Sequence, residues 1–213
     1  CGRQRIAIPP DIAMCDNCRK EVLCKEDRRF GYPLTNCIEC GPRFTIVTGI
    51  PYDRSRTTMS SFPMCDECKS EYADPGDRRF HAEPIACPSC GPEVIFIDEK
   101  RETRVDEAPL SRARRMLKEG KIVGVKGIGG FHIACDATSE GAVMALRSKK
   151  ERSRKPFAVM ARSIEDASRV VYINEEEREA LLSNEAPIVI LKNRDDIWPW
   201  VTGGTRTTGV FLP

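Results

Sequence analysis

The chain has 213 residues, of which 40% are hydrophobic and 31% are charged, and its formal net charge is only +2. These values indicate one or two folded domains and exclude both global disorder and a generally basic nucleic-acid-binding protein. No stretch without Asp, Glu, Lys or Arg exceeds nine residues, which excludes a signal peptide and a membrane-spanning helix of about 20 apolar residues.

The chain begins with Cys1 rather than Met and ends shortly after an apolar Val210-Phe211-Leu212 segment. We therefore expect a piece of a longer protein. Eight of the eleven cysteines fall into four Cys-x-x-Cys pairs. The odd count, the pair spacing and the lack of a signal peptide favour metal-bound thiolates in a reducing compartment, and hence a cytoplasmic protein.

Residues 14–47 and 64–97 form a repeat with a constant offset of 50, in which 13 of 34 positions are identical. Both copies begin with Met-Cys-Asp, contain Asp-Arg-Arg-Phe and close with Cys-Gly-Pro. Nine of the identities are not cysteines, so the match does not depend on the cysteine pattern alone. The segment is a duplicated module.

Each copy has the pattern Cys-x2-Cys-x18-Cys-x2-Cys. Two close pairs can place four sulfurs tetrahedrally about 2.3 Å from one Zn2+, which leaves no position for water, so we predict two structural zinc sites. The predicted ligands are Cys15, Cys18, Cys37, Cys40, Cys65, Cys68, Cys87 and Cys90. A disulfide framework and an iron–sulfur site are the alternatives.

Two pairing schemes remain open. In the sequential scheme each copy closes on its own metal, and in the nested scheme the two outer pairs share one metal and the two inner pairs the other. The duplication favours the sequential scheme. A module this short buries too little apolar surface to fold unaided, so the metal should supply folding energy. Cys1, Cys24 and Cys135 lie outside the pattern and are interpreted as ordinary thiols.

From about residue 99 onward, helix and strand signals alternate, which predicts an α/β domain with some parallel pairing. The predicted helices begin after Asp106, over 107–119, and at Ser139, with Ala142, Val143 and Leu146 facing inward. The predicted strands cover 122–125, 157–160 and 187–191. Capping boxes are predicted at Ser163/Asp166 and at Asn174/Glu177.

Two segments of this half carry groups suited to an anion. The first runs from Lys126 to His132, and its glycines follow a strand, where backbone amides can approach an anion closely; a tight turn with an exposed lysine is the alternative. The second, residues 147–155, holds six basic residues and one acid. It could form the wall of an anion pocket, a solvated helix end or a nucleic-acid patch.

Together these features resemble the HypF family, the carbamoyltransferases of NiFe-hydrogenase maturation. The resemblance runs from about residue 8 to the end of the chain. The motifs that carry it are the paired four-cysteine modules, Lys126-Gly-Ile-Gly-Gly-Phe-His132 with Cys135-Asp136-Ala137, Lys150-x-Arg152-x-x-Lys155-Pro-Phe-Ala-Val-Met160 and Gly209-Val-Phe-Leu-Pro213.

The resemblance implies two small zinc-stabilised modules within residues 1–98, at about 10–48 and 60–98. It implies that residues 99–213 are the N-terminal part of a YrdC-like α/β domain with a twisted mixed sheet. Compared with the family pattern, we expect this chain to lack the acylphosphatase and C-terminal transfer domains and to contain only part of the YrdC-like domain. We therefore expect the chain alone to be inactive.

For the full-length protein, the resemblance implies that carbamoyl phosphate is hydrolysed to carbamate, which reacts with ATP to give carbamoyl-adenylate. The carbamoyl group then passes to the C-terminal cysteine of a HypE-type partner for cyanide ligand synthesis. Mg2+ would accompany ATP, and neither a membrane nor a nucleic acid is an expected partner. The residues implied at the nucleotide site are Lys126, Lys150, Arg152 and Lys155 for phosphates and carbamate, with His132 and Asp136 lining the pocket.

Two other functions are compatible with parts of the sequence. A relative that makes threonylcarbamoyl-adenylate would share the YrdC-like half, but the zinc duplication argues against it. A non-enzymatic zinc module could bind nucleic acid or protein and use the basic segment 147–155 to contact phosphates.

Overall fold

The computed structural model describes residues 8–98, 100, 103–104, 107–195 and 197–213. The chain divides into two compact units, Cys1–Glu93 and Val94–Pro213. Among the described residues, no helix has the length and apolar character needed to cross a bilayer.

The first unit contains the two repeats, and each repeat contributes one α-helix. Helix α1 covers Asp16–Leu23 and helix α2 covers Asp66–Ala73, and their N-caps are Cys15 and Cys65. Three short 3-10 helices lie between them in sequence, at Phe44–Ile46, Arg54–Arg56 and Thr58–Ser61. The helices of the two copies therefore begin at equivalent cysteines.

The two repeats share one apolar core. Tyr32 comes from the first repeat and Ala86 from the second, and both pack in one buried cluster with Ile46 and Met59. The Tyr32 hydroxyl also donates to the carbonyl of Pro92, 3.0 Å away. The cluster thus combines residues of both repeats with Met59 from the segment that joins them.

The second unit is an α/β unit, and its described residues form three small sheets. In chain order its elements are β1 Phe96–Ile97, β2 Thr103–Arg104, α3 Pro109–Lys118, β3 Val123–Lys126, β4 Phe131–Ala134, α4 Glu140–Lys149, β5 Val159–Met160, α5 Ile164–Ala167, α6 Glu175–Leu182, β6 Val189–Lys192, α7 Pro199–Thr202 and β7 Thr207–Phe211. Strands β1 and β2 pair antiparallel, as do β3 and β4.

The third sheet is mixed and has the order β5-β7-β6, with β5 parallel and β6 antiparallel to β7. Its core contains the fully buried Leu191 and Val210, packed against Val171 and Leu181. The predicted fold class, duplicated four-cysteine modules followed by an α/β unit with a mixed sheet, is confirmed.

Several predicted helix features agree with the structure. Ser139 caps α4, and Ala142, Val143 and Leu146 are buried as expected. Asn174 and Glu177 form a complete capping box at the start of α6.

Other boundaries differ from the prediction. Helix α3 begins at Pro109 with Ala108 as its N-cap, because proline suits the first helical position; the predicted cap Asp106 lies outside the described residues. The predicted strand 157–160 contains only Val159 and Met160 in β5. At the Ser163 capping box, Ser163 caps the helix, while the Asp166 carboxylate pairs with two arginines, Arg162 and Arg169.

Candidate metal centres and candidate anion site

Two clusters of cysteine sulfurs lie in the first unit, one in each repeat. In each cluster the four sulfurs lie within 4.8 Å of one another, and the clusters are Cys15, Cys18, Cys37 and Cys40, and Cys65, Cys68, Cys87 and Cys90. The cysteines are therefore grouped sequentially and not in the nested scheme. No two of the ten described cysteines are bonded to each other, which argues against a disulfide framework.

The separations of the sulfurs fit a tetrahedral metal site. Four sulfurs placed tetrahedrally about 2.3 Å from Zn2+ lie about 3.8 Å apart. The observed Sγ–Sγ distances are 3.7 Å for Cys15–Cys37, 3.9 Å for Cys37–Cys40, 3.6 Å for Cys18–Cys40, 3.7 Å for Cys65–Cys87, 3.7 Å for Cys87–Cys90 and 3.6 Å for Cys68–Cys90. The sulfur donors and their spacing thus support two structural zinc sites.

The local sequence explains how each cluster is assembled. The first Cys-x-x-Cys pair of each repeat spans a helix start, so residues three apart lie on one face of the first turn. In the second repeat the other pair closes in a tight turn, where the Gly91 amide donates to the Cys87 carbonyl at 2.8 Å. A Cβ on Gly91 would lie 2.2 Å from the Tyr32 hydroxyl and 2.6 Å from the Ala86 Cβ, so this position requires glycine.

An arginine from one repeat contacts the sulfurs of the other repeat. Arg28 lies in the first repeat, yet its Nη2 donates to Cys68 Sγ at 3.0 Å and its Nη1 to Cys65 Sγ at 3.9 Å. In the reverse direction, Arg78 Nη2 donates to Cys18 Sγ at 2.6 Å and to Cys15 Sγ at 3.7 Å. The contacts of one arginine reappear for the other with every partner shifted by 50 positions.

The next arginine of each repeat is buried and also forms hydrogen bonds to residues of the other repeat. Arg29 donates to the Ala86 carbonyl at 3.0 Å and pairs with Glu71 at 2.5 Å. Arg79 does the same with the Asn36 carbonyl and with Glu21. The exposed fraction of the side chain is only 2% for Arg29 and 4% for Arg79.

These arginine contacts lower the pKa of the carboxylate that they bind and act in the same direction on the pKa of the thiol. Burial raises the pKa of Glu71, but the hydrogen bonds from Arg29 and Arg28 outweigh it and lower the pKa to about 2. Burial raises the pKa of the Cys68 thiol, and the hydrogen bond from Arg28 acts in the opposite direction. The arginines therefore favour the charged forms of both the carboxylate and the thiolate.

In the second unit, the predicted anion-binding residues fall into two groups. Lys126 and His132 lie on the β3–β4 hairpin, where Lys126 pairs with Phe131 and Val125 with His132. The glycine-rich segment between the strands is a turn, closed by the Gly127 amide donating to the Gly130 carbonyl at 2.8 Å. The Lys126 ammonium lies 5.3 Å from the Phe131 ring centroid, and both side chains are exposed.

The other predicted residues lie around helix α4. Asp136 precedes the helix, and its carboxylate accepts from the Thr138 amide at 2.9 Å and from the Thr138 hydroxyl at 2.7 Å. Lys150 is the exposed C-cap of α4, and Lys155 is exposed as well. Arg152 is half-buried, and its guanidinium lies 5.7 Å from the Phe157 ring centroid.

A single buried arginine holds the backbone of the basic segment. Arg147 Nη1 donates to the carbonyls of Arg152 and Lys155, both at 2.9 Å, so these two predicted residues are fixed to one guanidinium. The same side chain donates to the carbonyls of Trp200 at 2.8 Å and Val201 at 2.9 Å. Sequence reasoning missed this role, although Arg147 continues the inward face of α4 after Val143.

The end of α7 packs against the same segment. Gly203 has a φ of +63°, and a Cβ there would lie 2.1 Å from the Arg154 carbonyl oxygen. Phe157 donates its amide to the Val201 carbonyl at 3.1 Å. Beside the segment is a cavity of about 480 Å³, lined by Met144, Arg147, Ser148, Glu151, Arg152 and Ser153. Of the residues predicted for the nucleotide, only Arg152 lines this cavity.

Comparison with protein families gives two matches in this chain. The family model described as HypF finger matches residues 14–47 and 64–97, the two copies of the repeat. The Sua5/YciO/YrdC model, described as telomere recombination, matches residues 115–213.

The curated relatives include the carbamoyltransferase HypF of Rhodobacter capsulatus, which is 48% identical over 206 residues. The probable carbamoyltransferase HypF of Methanocaldococcus jannaschii is 48% identical over 209 residues. Each alignment covers 97% of this chain but only 27% of the relative, so the chain spans about a quarter of their length.

Solved structures give the same result. A full-length HypF in a phosphate- and nucleotide-bound form is 44% identical, with a TM-score of 0.90 over 97% of this chain and 27% of that chain. HypF of T. kodakarensis is 45% identical, with a TM-score of 0.93 over 97% of this chain and 28% of that chain.

Proposed function

The chain belongs to the HypF family of carbamoyltransferases, and on that premise we propose that it serves the carbamoyl-activation step of such an enzyme. In full-length form the enzyme would convert carbamoyl phosphate to carbamate. The carbamate oxygen would attack the α-phosphorus of ATP, form carbamoyl-adenylate and release pyrophosphate. The carbamoyl group would then pass to the C-terminal cysteine of a HypE-type partner, in the cytoplasm, where metal-bound thiolates remain reduced.

The observation that carries this proposal is the combination of two finger modules and a YrdC-like unit in one chain. The YrdC-like unit alone is compatible with the synthesis of threonylcarbamoyl-adenylate. The finger modules favour the HypF activity, because the family model that matches them is described as HypF finger.

The basic segment provides the groups that this step needs. Departure of pyrophosphate concentrates negative charge, and cations that are already fixed in place stabilise that charge without reorganisation. Arg152 and Lys155 are the candidates for these cations, since Arg147 holds the backbone that carries them. We assign them to the phosphates and carbamate together with Lys126 and Lys150, and we assign His132 and Asp136 to the pocket lining. Mg2+ would accompany ATP.

The eight clustered cysteines would hold two Zn2+ ions, one within each finger module. Four thiolates around each ion leave no open position for a substrate, so their role would be structural.

The test is carbamoyl-phosphate-dependent exchange of pyrophosphate into ATP, measured on the full-length enzyme. Arg152→Ala should abolish the exchange, whereas Arg154→Ala, which removes an exposed arginine from the same segment, should leave it largely intact. Normal exchange by Arg152→Ala would disprove the site assignment. Adenylate formation that requires threonine would favour the alternative activity.

A further inference from the structure

In each repeat an arginine contacts the cysteine sulfurs of the other repeat, and these contacts have a consequence for metal binding. We propose that Arg28 is a positioning residue for the metal site of the second repeat, formed by Cys65, Cys68, Cys87 and Cys90. Arg78 is the positioning residue for the metal site of the first repeat, formed by Cys15, Cys18, Cys37 and Cys40. The two sites therefore bind metal cooperatively. The inference rests on the metal sites proposed above and is independent of the transferase activity.

The first step of the argument is electrostatic. One Zn2+ with four thiolates carries a net charge of −2, and an adjacent guanidinium offsets part of that charge. The 3.0 Å contact from Arg28 to Cys68 Sγ is a charge-assisted hydrogen bond, which is stronger than a neutral one. Such contacts to metal ligands orient them and tune their basicity, and their loss costs 10- to 100-fold in metal affinity.

The second step concerns how the arginine is aimed. Glu71 accepts from Arg28 Nε at 3.2 Å and from Nη2 at 3.1 Å, so the guanidinium is held from one edge by the carboxylate. Glu71 lies on α2, the helix that carries Cys68. The carboxylate and the sulfur therefore come from one rigid helix and present a single binding surface to the incoming arginine.

The third step links the two sites through the chain. Arg28 lies in the turn after α1, and that turn is closed by the Gly31 amide donating to the Val22 carbonyl of α1 at 2.8 Å. Metal binding by Cys15 and Cys18 fixes the start of α1. It therefore also fixes the following turn, which places Arg28 against the sulfurs of the second repeat. The second repeat works the same way, because the His81 amide donates to the Tyr72 carbonyl of α2 at 3.1 Å.

Linkage makes this coupling reciprocal: if metal at one site strengthens binding at the other, the converse holds by the same factor. The internal duplication repeats the sulfur contacts, since Arg78 donates to Cys18 and Cys15, and its Nη1 lies 3.5 Å from Glu21 Oε1. A fortuitous contact of Arg28 would have no reason to recur in the second copy.

The experiment is 113Cd NMR on the full chain loaded with cadmium, with proton–cadmium correlations to assign each signal to its cysteines. In the wild type we expect two signals that disappear together as a chelator is added. In Arg28→Ala, the signal of the Cys65–Cys90 site should shift and should be lost at 10- to 100-fold lower chelator concentration than in the wild type. Arg78→Ala should show this effect at the Cys15–Cys40 site.

The control is Lys25→Ala, which removes a positive charge from the same exposed turn and should leave both signals unchanged. Arg28→Lys retains the positive charge but not the planar, forked guanidinium, so we expect an intermediate loss of metal affinity at the site of the second repeat. This variant decides the question if Arg28→Ala does not fold. The proposal is overturned if each variant weakens the site of its own repeat more than the site of the other repeat, or if both sites retain wild-type affinity. Failure of the wild type to bind two ions per chain would instead disprove the metal sites themselves.

Discussion

Arg147 Nε lies 2.8 Å from the carbonyl oxygen of Trp200, so the first arginine of the basic segment is directed at backbone rather than at solvent. Its guanidinium also lies over the Phe157 ring, 4.8 Å from the centroid, and only 6% of the residue is exposed. Arg147 therefore acts as an internal brace for residues 152–157.

Replacing this brace should destabilise the second unit. Arg147→Ala removes a charged donor from the Trp200 carbonyl and one of the two donors of the Val201 carbonyl, which keeps the Phe157 amide, and hydrogen bonds to charged groups contribute roughly 1.5–3 kcal/mol. We expect the free energy of unfolding to fall by about 2–4 kcal/mol. Urea denaturation followed by tryptophan fluorescence measures this directly, because Trp198 and Trp200, the two tryptophans of the chain, pack in the adjacent cluster.

The matched control is Arg154→Ala, which removes an exposed arginine from the same segment and should change the unfolding free energy by no more than about 0.5 kcal/mol. Equal effects of the two variants would contradict the role of Arg147 as a brace.

A methyl group at Gly91 should weaken the finger unit. The new Cβ would overlap the Tyr32 hydroxyl and the Ala86 side chain, and overpacking of this kind costs typically 1–3 kcal/mol. The expected result for Gly91→Ala is faster transfer of zinc to a colorimetric chelator at increasing urea. Gly141→Ala is the comparison, since a Cβ there meets nothing within 4 Å and alanine is the better helix former. A wild-type rate for Gly91→Ala would show that the turn accommodates the methyl group.

The thiol of Cys135 should react slowly at neutral pH. Burial raises its pKa, and the neighbouring Asp136 carboxylate raises it further. A raised thiol pKa lowers the thiolate fraction at any given pH, and the thiolate is the form that reacts. We therefore expect the pH profile of iodoacetamide alkylation, measured by peptide mass spectrometry, to be displaced to higher pH than for an unperturbed thiol.

Asp136→Asn removes the charge that contributes to this shift, so it should move the profile of Cys135 back toward lower pH. A profile at or below that of a free cysteine in the wild type would contradict the prediction.

Metal removal should unfold the first unit and leave the second folded. The cores of both repeats include cysteines, with Cys18, Cys37 and Cys40 in one cluster and Cys68 and Cys87 in the other, so loss of the ion removes the centre of each. After addition of a chelator, amide hydrogen exchange should become fast in α1 and α2 while β6 and β7 stay protected. Continued protection of α1 and α2 would show that the unit folds without metal.

Much of this architecture follows from the sequence because the signals are local. The constant offset of 50 favours the sequential grouping of cysteines, and Asn174 with Glu177 predicts a capping box because the two residues lie in one helical turn. The β3–β4 hairpin was missed because its second strand, Phe131–Ala134, directly follows the glycine-rich segment that was interpreted as an anion site or a tight turn.

The contacts between repeats could not be predicted from the sequence. Glu21 and Glu71, like the two arginine pairs, are among the nine identities that are not cysteines. The sequence shows that these glutamates and arginines are shared by both copies. The repeat pattern is the same, however, whether an arginine pairs with the glutamate of its own copy or with that of the other copy. Only the three-dimensional packing decides between these two arrangements.

The two neighbouring arginines of each repeat should have separable roles. Arg29 is 2% exposed, makes no sulfur contact shorter than 3.7 Å, and is committed to Glu71 and to the Ala86 carbonyl. Arg28 is 31% exposed and contacts Cys68 Sγ at 3.0 Å. Arg29→Ala removes the buried partner of the half-buried Glu71 carboxylate, which keeps Arg28, and the lost charged hydrogen bond should cost roughly 1.5–3 kcal/mol, whereas the effect of Arg28→Ala should fall mainly on metal affinity.

A double-mutant cycle tests this separation. The cycle of Arg29→Ala with Glu71→Ala should give a coupling energy in the free energy of unfolding of at least about 1 kcal/mol, measured by urea denaturation of the metal-loaded chain. The cycle of Arg28→Ala with Glu71→Ala should give a smaller one, since exposed pairs are worth less than about 1 kcal/mol. Equal coupling in the two cycles would contradict the separation, because Glu71 would then stabilise the fold equally through the buried and the exposed guanidinium.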